Sequence, residues 1–348
     1  MPASNKNQLS AKQLNRLKAV GGVLTLFGLT LFVFFVWSVG LNEVLANIER
    51  FGFVGFAVIL VIYLGRLILR ATAWKLSVYE PYRLDLRDTF PAVIIGEAMS
   101  AMIPLGILIS GTSKAVAVRR RVPLVVGLSS VATENLFYSF VTSAFLALGA
   151  LTFVRNFQLD PGWTLTIDVL IGVLFFLLVA GIVMIIKQWH FASETCELLY
   201  RRGVAQGLLE HGRADVRLFE NFIYGFYRRH PKRFLPISLC EAGFHALGVV
   251  EVWFILSRLM ETASPLNAFL LESVSRLITI IFKLVPFLIG VDEAGGEFVA
   301  ETVAIGAGIG VTLAIIRKGR ILFWTVVGLA LILKRGLSPR SIFRSVTG

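Results

Sequence analysis

The sequence predicts an all-α polytopic membrane protein, an inverted repeat of about six full spans and two re-entrant helical hairpins. Three observations predict it. Of 348 residues, 56% are hydrophobic and only 16% are charged, whereas soluble domains carry roughly a quarter charged residues. The apolar residues come in long blocks, and the mean hydropathy of +0.77 exceeds what a soluble core absorbs. Two of the blocks are interrupted by Pro, Gly and ionisable residues at corresponding places in the two halves of the chain.

The N-terminal segment 1–18 is polar and is expected on the cytoplasmic side. Residues 19–39 supply the roughly 20 apolar residues of a first span. No small-residue cleavage site follows at the usual distance, so this span is expected to be retained. Residues 41–50 form a short amphipathic connector to a second span, 53–79, whose later half carries Arg66 and Arg70. These two, with Glu251 and Glu301, read as interfacial charges that snorkel to the membrane surface.

The stretch 89–118 carries Glu97 and Lys114 and is broken at Pro104, Gly106 and again at Gly111. Proline removes a backbone donor and glycine adds freedom, so a continuous helix is not expected. Each half is too short to cross, which predicts a re-entrant hairpin. Spans at 123–154, with Glu134 near its middle, and 164–186 complete a first membrane half, 19–186.

Residues 187–233 form a polar linker with eight Lys or Arg between Arg201 and Arg233. Leu198, Leu199, Val216, Phe219, Phe222, Ile223 and Phe226 recur in it at helical spacing, predicting a surface-lying amphipathic helix pair. The second membrane half, 234–333, opens with a span at 234–260 carrying Glu241 and Glu251. A second broken stretch, 265–309, carries Glu272, Arg276 and Lys283, breaks from Pro286 to Gly290, and continues with Asp292, Glu293, Glu297 and Glu301. Small residues from Gly306 to Gly310 read as either close packing or a hinge. A last span, 311–333, holds Arg317 and Arg320, ahead of the tail 334–348.

The net charge of +12 first suggests nucleic acid. The basic residues sit at the ends of apolar blocks, however, and no nucleic-acid motif accompanies them. Segments 1–18, the loops with Arg83, Arg87 and Arg119–Arg121, 187–233 and 334–348 hold four, five, nine and four Lys or Arg. The opposite loops hold only Arg50, Arg155 and Arg258, each beside an acid. The positive-inside rule then places both termini in the cytoplasm, with the first hairpin entering from inside and the second from outside. Ten full spans would leave the termini on the same side. Cys196, Cys240 and four scattered histidines make no metal or redox spacing, so no cofactor is expected.

Ionisable groups at membrane depth cost about 2.5–3.5 kcal/mol each on insertion scales, so they must face a partner or water. Glu97, Lys114, Glu134, Glu241, Arg276, Lys283, Asp292, Glu293, Glu297 and Arg317 stand in apolar context. Arg276 and Lys283 are seven apart and share a helix face, as Glu293, Glu297 and Glu301 do at every fourth position. The first break has the opposite signs, Glu97 before it and Lys114 after. Cations across a pocket from carboxylates suit a phosphate-bearing or zwitterionic head group, and broken-helix N-termini add donors. The competing expectation is that these charges are internal ion pairs. No Ser-His-Asp grouping, Walker loop or metal spacing is present, so an enzyme is not expected.

The segment from Pro104 through Gly111 to Lys114, with Glu134 in the next helix, resembles the first half of the flippase-like membrane domain. That domain is shared with lysylphosphatidylglycerol synthases and flippases. The segment Pro286 to Glu293, with Arg317 in the last helix, is similar to the second half of the same domain. The resemblance covers roughly 15–335. Thr112 stands where the family often has an acid, and Asn135 where it often has Arg. The usual Pro-Gly-Gly of the second motif is absent. The resemblance implies a lipid flippase of the bacterial cytoplasmic membrane, moving a phospholipid, glycolipid or isoprenoid-type lipid. Glu97, Lys114, Glu134, Arg276, Lys283, Asp292, Glu293, Glu297 and Arg317 would meet the lipid between the hairpins. The chain ends after the membrane domain, so the soluble aminoacyl-transferase part and a synthase activity are not expected. Stand-alone relatives include proteins associated with hopanoid biosynthesis. The alternatives are a membrane scaffold that docks a lipid-biosynthesis enzyme through the basic linker, and a membrane-embedded transferase.

Overall fold

The computed structural model describes residues 40–335 except 103–105, 157–160, 188, 204–215, 218–219, 222–223, 283–284, 286–287, 304 and 307, together with residues 30, 33, 34 and 37. Among the described residues ten helices have defined bounds and no strand occurs. They are α1 (Leu41–Ser77), α2 (Leu86–Met102), α3 (Gly106–Ala117), α4 (Leu124–Asn156), α5 (Pro161–Lys187), α6 (Phe191–Arg201), α7 (Pro231–Leu259), α8 (Pro265–Ile281), α9 (Val291–Thr302) and α10 (Ile309–Lys334).

Three of these, α1, α4 and α7, are long and apolar enough to cross a membrane. They correspond to three of the six expected spans. Helices α5 and α10 have comparable lengths of 27 and 26 residues. Arg317, Lys318 and Arg320 keep the first half of α10 from reading as a plain apolar span. The span expected at 19–39 lies almost wholly outside the described residues. Large apolar side chains such as Phe53, Val61, Leu148, Phe176, Leu239 and Val326 are exposed around the bundle. A contiguous apolar exterior of this kind belongs against lipid. The protein is an all-helical membrane protein.

The expected connector 41–50 is the start of α1, set off by a kink at Gly52, whose φ of 69° is non-helical. The Glu97 stretch is a pair of helices, α2 and α3, packed on one another and separated by residues 103–105. The Arg276 stretch is likewise a pair, α8 and α9. Ser264 caps α8 by accepting the Leu266 N–H at 3.2 Å, and Pro265 opens the helix. Gly290 leads into α9 with φ 80°, a left-handed conformation that glycine adopts without steric cost.

The pairs match in size: α2 and α8 have 17 residues, α3 and α9 have 12. At 1.5 Å per residue a 17-residue helix measures about 25 Å, short of the roughly 30 Å hydrocarbon core. Exchanging α1–α4 for α7–α10 in order sends each packed pair among these helices onto another. Helix α2 against α10 becomes α8 against α4, α3 against α4 becomes α9 against α10, and α1 against α7 maps onto itself.

The seam between α1 and α7 is the centre of the molecule. Phe51 and Ile59 of α1 interlock there with Val252, Ile255, Leu256 and Leu259 of α7. A second apolar cluster joins α1, α2 and α4 through Leu67, Ala71, Trp74, Val93 and Val126. In the expected linker, α6 is a helix with Leu198 and Leu199 exposed, while Phe226 packs into Phe137, Ile237 and Ala73. Of the other apolar positions expected there, Val216 is helical and half-buried, and Phe219, Phe222 and Ile223 lie outside the described residues.

Gly111, expected at a break, lies inside α3. The chain already separates α2 from α3 ahead of Gly106, so Gly111 has no turn to make. It sits instead where a β-carbon would meet Val131 of α4 at 3.4 Å. A helical glycine costs about 1 kcal/mol relative to alanine, and close packing on α4 offsets that. Pro104 and Pro286, the other expected break residues, lie outside the described residues.

Candidate functional site

Arg66 and Arg70 are one helical turn apart on α1, on the side that meets α7. Arg66 donates to Glu251 of α7 at 2.9 Å and to Glu272 of α8 at 3.3 Å. Arg320 of α10 donates to the same Glu251 at 2.5 Å. Arg317 of α10 and Arg276 of α8 both donate to Glu272 at 2.8 Å. Four guanidinium groups from three helices therefore share two carboxylates, an excess of two positive charges in a buried place.

Aromatic rings support the same cations. The Arg66 guanidinium lies 4.3 Å from the Phe244 ring centre, and Arg320 lies 4.0 Å from that of Tyr63. Glu272 fits between its partners because position 248 is glycine. A β-carbon there would run into the Glu272 carboxylate.

A second cluster forms at the first helix pair. Arg70 donates to Glu134 of α4 at 3.1 Å and faces Glu97 of α2 at 3.5 Å. Lys114 of α3 approaches the other oxygen of Glu134 at 3.5 Å. Its stem passes over Gly96, where a β-carbon would come within 2.8 Å of it. Tyr138 holds the Arg70 guanidinium at 4.4 Å from its ring centre.

Acids of α9 take a third arrangement. Asp292 accepts the Ser275 hydroxyl at 2.8 Å, and Ser275 accepts from Arg317 at 2.9 Å. Glu293 accepts the Gly290 N–H at 2.8 Å and pairs with Lys318 at 2.7 Å. Glu297 accepts the N–H groups of Gly308 and Val311 at 2.5 and 3.1 Å. It thereby fills the acceptor role at the start of α10 that a helix N-terminus demands.

Between the two helix pairs lies a cavity of about 510 Å³, within the range of small-molecule sites. Its wall draws on α1, α2, α3, α4, α7, α8, α9 and α10. The ionisable acids and cations on it are Arg70, Glu97, Arg276, Asp292, Arg317 and Arg320, four cations against two carboxylates. Tyr63, Tyr138, Asn135 and Trp324 add polar edges.

Of the residues that the sequence put forward, Glu97, Arg276, Asp292 and Arg317 line this cavity. Lys114 and Glu134 stand behind its wall, holding Arg70 from the rear. Glu293 and Glu297 turn to backbone donors at the start of α9 and α10, away from the cavity. Lys283 lies outside the described residues.

The reading of Arg66, Arg70 and Glu251 as interfacial is corrected. Arg66 and Glu251 are fully buried at the α1–α7 seam, and Arg70 is on the cavity wall. Glu301 is exposed. Arg320 was missed as a wall residue, although its position three after Arg317 puts both on one face of a helix. In the small-residue run the close-packing reading holds. Gly306 and Gly308 adopt positive φ in the turn, and Gly310 packs directly on the backbone of Gly296.

No match to the chain occurs among curated proteins or among solved structures. At the level of sequence family the chain does have a match. The match covers residues 19–330, nearly the whole chain and all eight helices of the cavity. The chain therefore belongs to the family described as the lysylphosphatidylglycerol synthase TM region, a membrane domain of flippase-like, lipid-related proteins.

Proposed function

We propose that the protein is a lipid flippase, without enzymatic activity of its own, that passes an anionic head group through the cavity between α2–α3 and α8–α9. The observation that carries this reading is the wall itself: four cations against two carboxylates around about 510 Å³. The guanidinium groups of Arg276, Arg317 and Arg320 are held in place by carboxylates, so little reorganisation of these three accompanies binding. Arg in a fixed fork suits phosphate oxygens. The lipid tails remain outside, along the exposed apolar surface.

The matched lengths and packing of the two helix pairs support an inverted repeat of re-entrant hairpins, an arrangement in which sites lie near the midplane. The basic segments support cytoplasmic termini in a bacterial inner membrane. A lipid-biosynthesis enzyme working alongside is a natural partner for such a carrier.

The test is the full-length protein in neutral phosphatidylcholine vesicles, with tail-labelled phosphatidylglycerol, phosphatidylethanolamine or lysylphosphatidylglycerol in trace amount. Movement to the inner leaflet is read by chemical quenching of the outer one. The anionic probe should cross fastest and the cationic one slowest. Arg276→Ala should slow the anionic probe at least tenfold while the purified protein stays monodisperse. Rates equal to protein-free vesicles for all three probes would sink the reading.

A further inference from the structure

Glu241 of α7 is 0% exposed, and neither of its carboxylate oxygens has a hydrogen-bond partner. It also makes no ion pair among the described residues. Its charged neighbours are another carboxylate, Glu134 of α4, and the cations Arg70 of α1 and Lys114 of α3. Arg70 and Lys114 each feel Glu241 in turn. Cys240 and His245 are its titratable neighbours on α7. His245 is turned to the Thr142 hydroxyl at 2.9 Å. From the remaining packed helices, Glu272, Arg276 and Arg320 are engaged in the Glu251–Glu272 network.

The local sum is decisive. Two cations, Arg70 and Lys114, face three carboxylates, Glu97, Glu134 and Glu241. A carboxylate buried without donors neutralises rather than stays charged. One proton closes the sum and gives Glu241 an O–H to donate to Glu134. The same cluster touches the cavity, because Arg70 and Glu97 are on its wall.

We propose that Glu241 and Glu134 form a proton-binding site linked through Arg70 to the head group in the cavity. An anion on the wall draws the Arg70 guanidinium toward itself and away from Glu134. The carboxylate pair then keeps only Lys114, and its affinity for a proton rises. Linkage is reciprocal, so a proton on the pair frees Arg70 for the anion. Proton and anionic lipid therefore bind together and cross together. This rests on the flippase reading for its transport consequence, but the proton site can be observed without any transport.

The experiment has two arms. In the first, infrared spectra of the purified wild type at neutral pH should contain the band of a protonated carboxyl group, shifted in deuterium oxide and lost in Glu241→Gln. A wild-type spectrum without that band overturns the proposal, whether or not the flippase assay succeeds. In the second, vesicles clamped at zero potential carry a pH difference of one unit. With one proton per lipid, tail-labelled phosphatidylglycerol should accumulate about tenfold on the alkaline side, the same free energy as the proton gradient. In Glu241→Gln the ratio between leaflets should fall to about one. If the wild type moves the lipid but ignores the gradient, the linkage is wrong and the flippase reading stands. If accumulation follows a sodium gradient at equal pH, the bound ion is not a proton and the proposal falls. Should Glu241→Gln not fold, the deuterium-shifted wild-type band and the wild-type gradient response decide alone.

Discussion

The two broken-helix pairs have the same dimensions and opposite chemistry. Glu97 is the twelfth residue of the 17-residue α2, and Arg276 is the twelfth of the 17-residue α8. Both face the cavity. Behind Glu97 stands a cluster with one carboxylate in excess, and behind Arg276 a network with two guanidinium groups in excess. The backbone framework is shared while the charges are not. Packing geometry sets where an ionisable group can stand, and the residue chosen there sets whether the place attracts an anion or a proton.

The sharpest way to break this contrast is at Glu272, which pairs with Arg66, Arg276 and Arg317 together. Glu272→Ala takes the carboxylate from three buried cations and leaves Arg276 without an ion pair among the described residues, and breaking buried pairs of this kind costs about 3–5 kcal/mol. A large fall in thermal unfolding temperature in detergent, or loss of monodisperse protein, is the expected outcome. An unchanged melting curve would mean that the cations do not depend on one another.

A smaller effect follows from Gly248, against which the Glu272 carboxylate rests. Gly248→Val forces that carboxylate aside, and overpacking costs about 1–3 kcal/mol. The melting temperature should drop less than for Glu272→Ala, and the double variant should not be additive because both act on one group.

The two equivalent positions can be compared directly. Arg276→Gln should slow transfer of phosphatidylglycerol about tenfold, a change of 1.4 kcal/mol in the barrier. Glu97→Gln removes a repelling charge from the wall and should not slow it comparably. Equal losses in both would dissolve the distinction between an anion-binding side and a carboxylate side. At the small end, Arg201→Ala breaks only an exposed i,i+4 pair with Glu197. Such pairs contribute about 0.3–0.5 kcal/mol, so neither melting nor transfer should change measurably.

Much of the framework was legible in the sequence because long apolar blocks and Pro/Gly interruptions are local signals. The helix pairs around Glu97 and Arg276 were visible as broken stretches flanked by spans. Their common size was hidden, since helix ends depend on caps such as Ser264. The site was legible only in part. Arg66 and Glu251 looked like helix-end charges, because a one-dimensional pattern cannot distinguish a residue near the membrane surface from one facing a partner 185 positions away. Glu293 and Glu297 have the spacing of a ligand-binding face, but spacing does not say that backbone N–H groups will claim them. Glu241 was read as one of several membrane acids. Its lack of a partner is a property of three neighbouring helices together.

Glu297 and the contact between Gly296 and Gly310 join α9 to the first turn of α10. Two charge-assisted bonds and a backbone-to-backbone crossing leave no slack at that junction. The two helices are tied together at the end of α10 from which Arg317 and Arg320 follow. Any displacement of α9 would carry the guanidinium groups of α10 with it. If the protein carries lipid as proposed, resetting the site moves positive charge as one body and not as separate side chains.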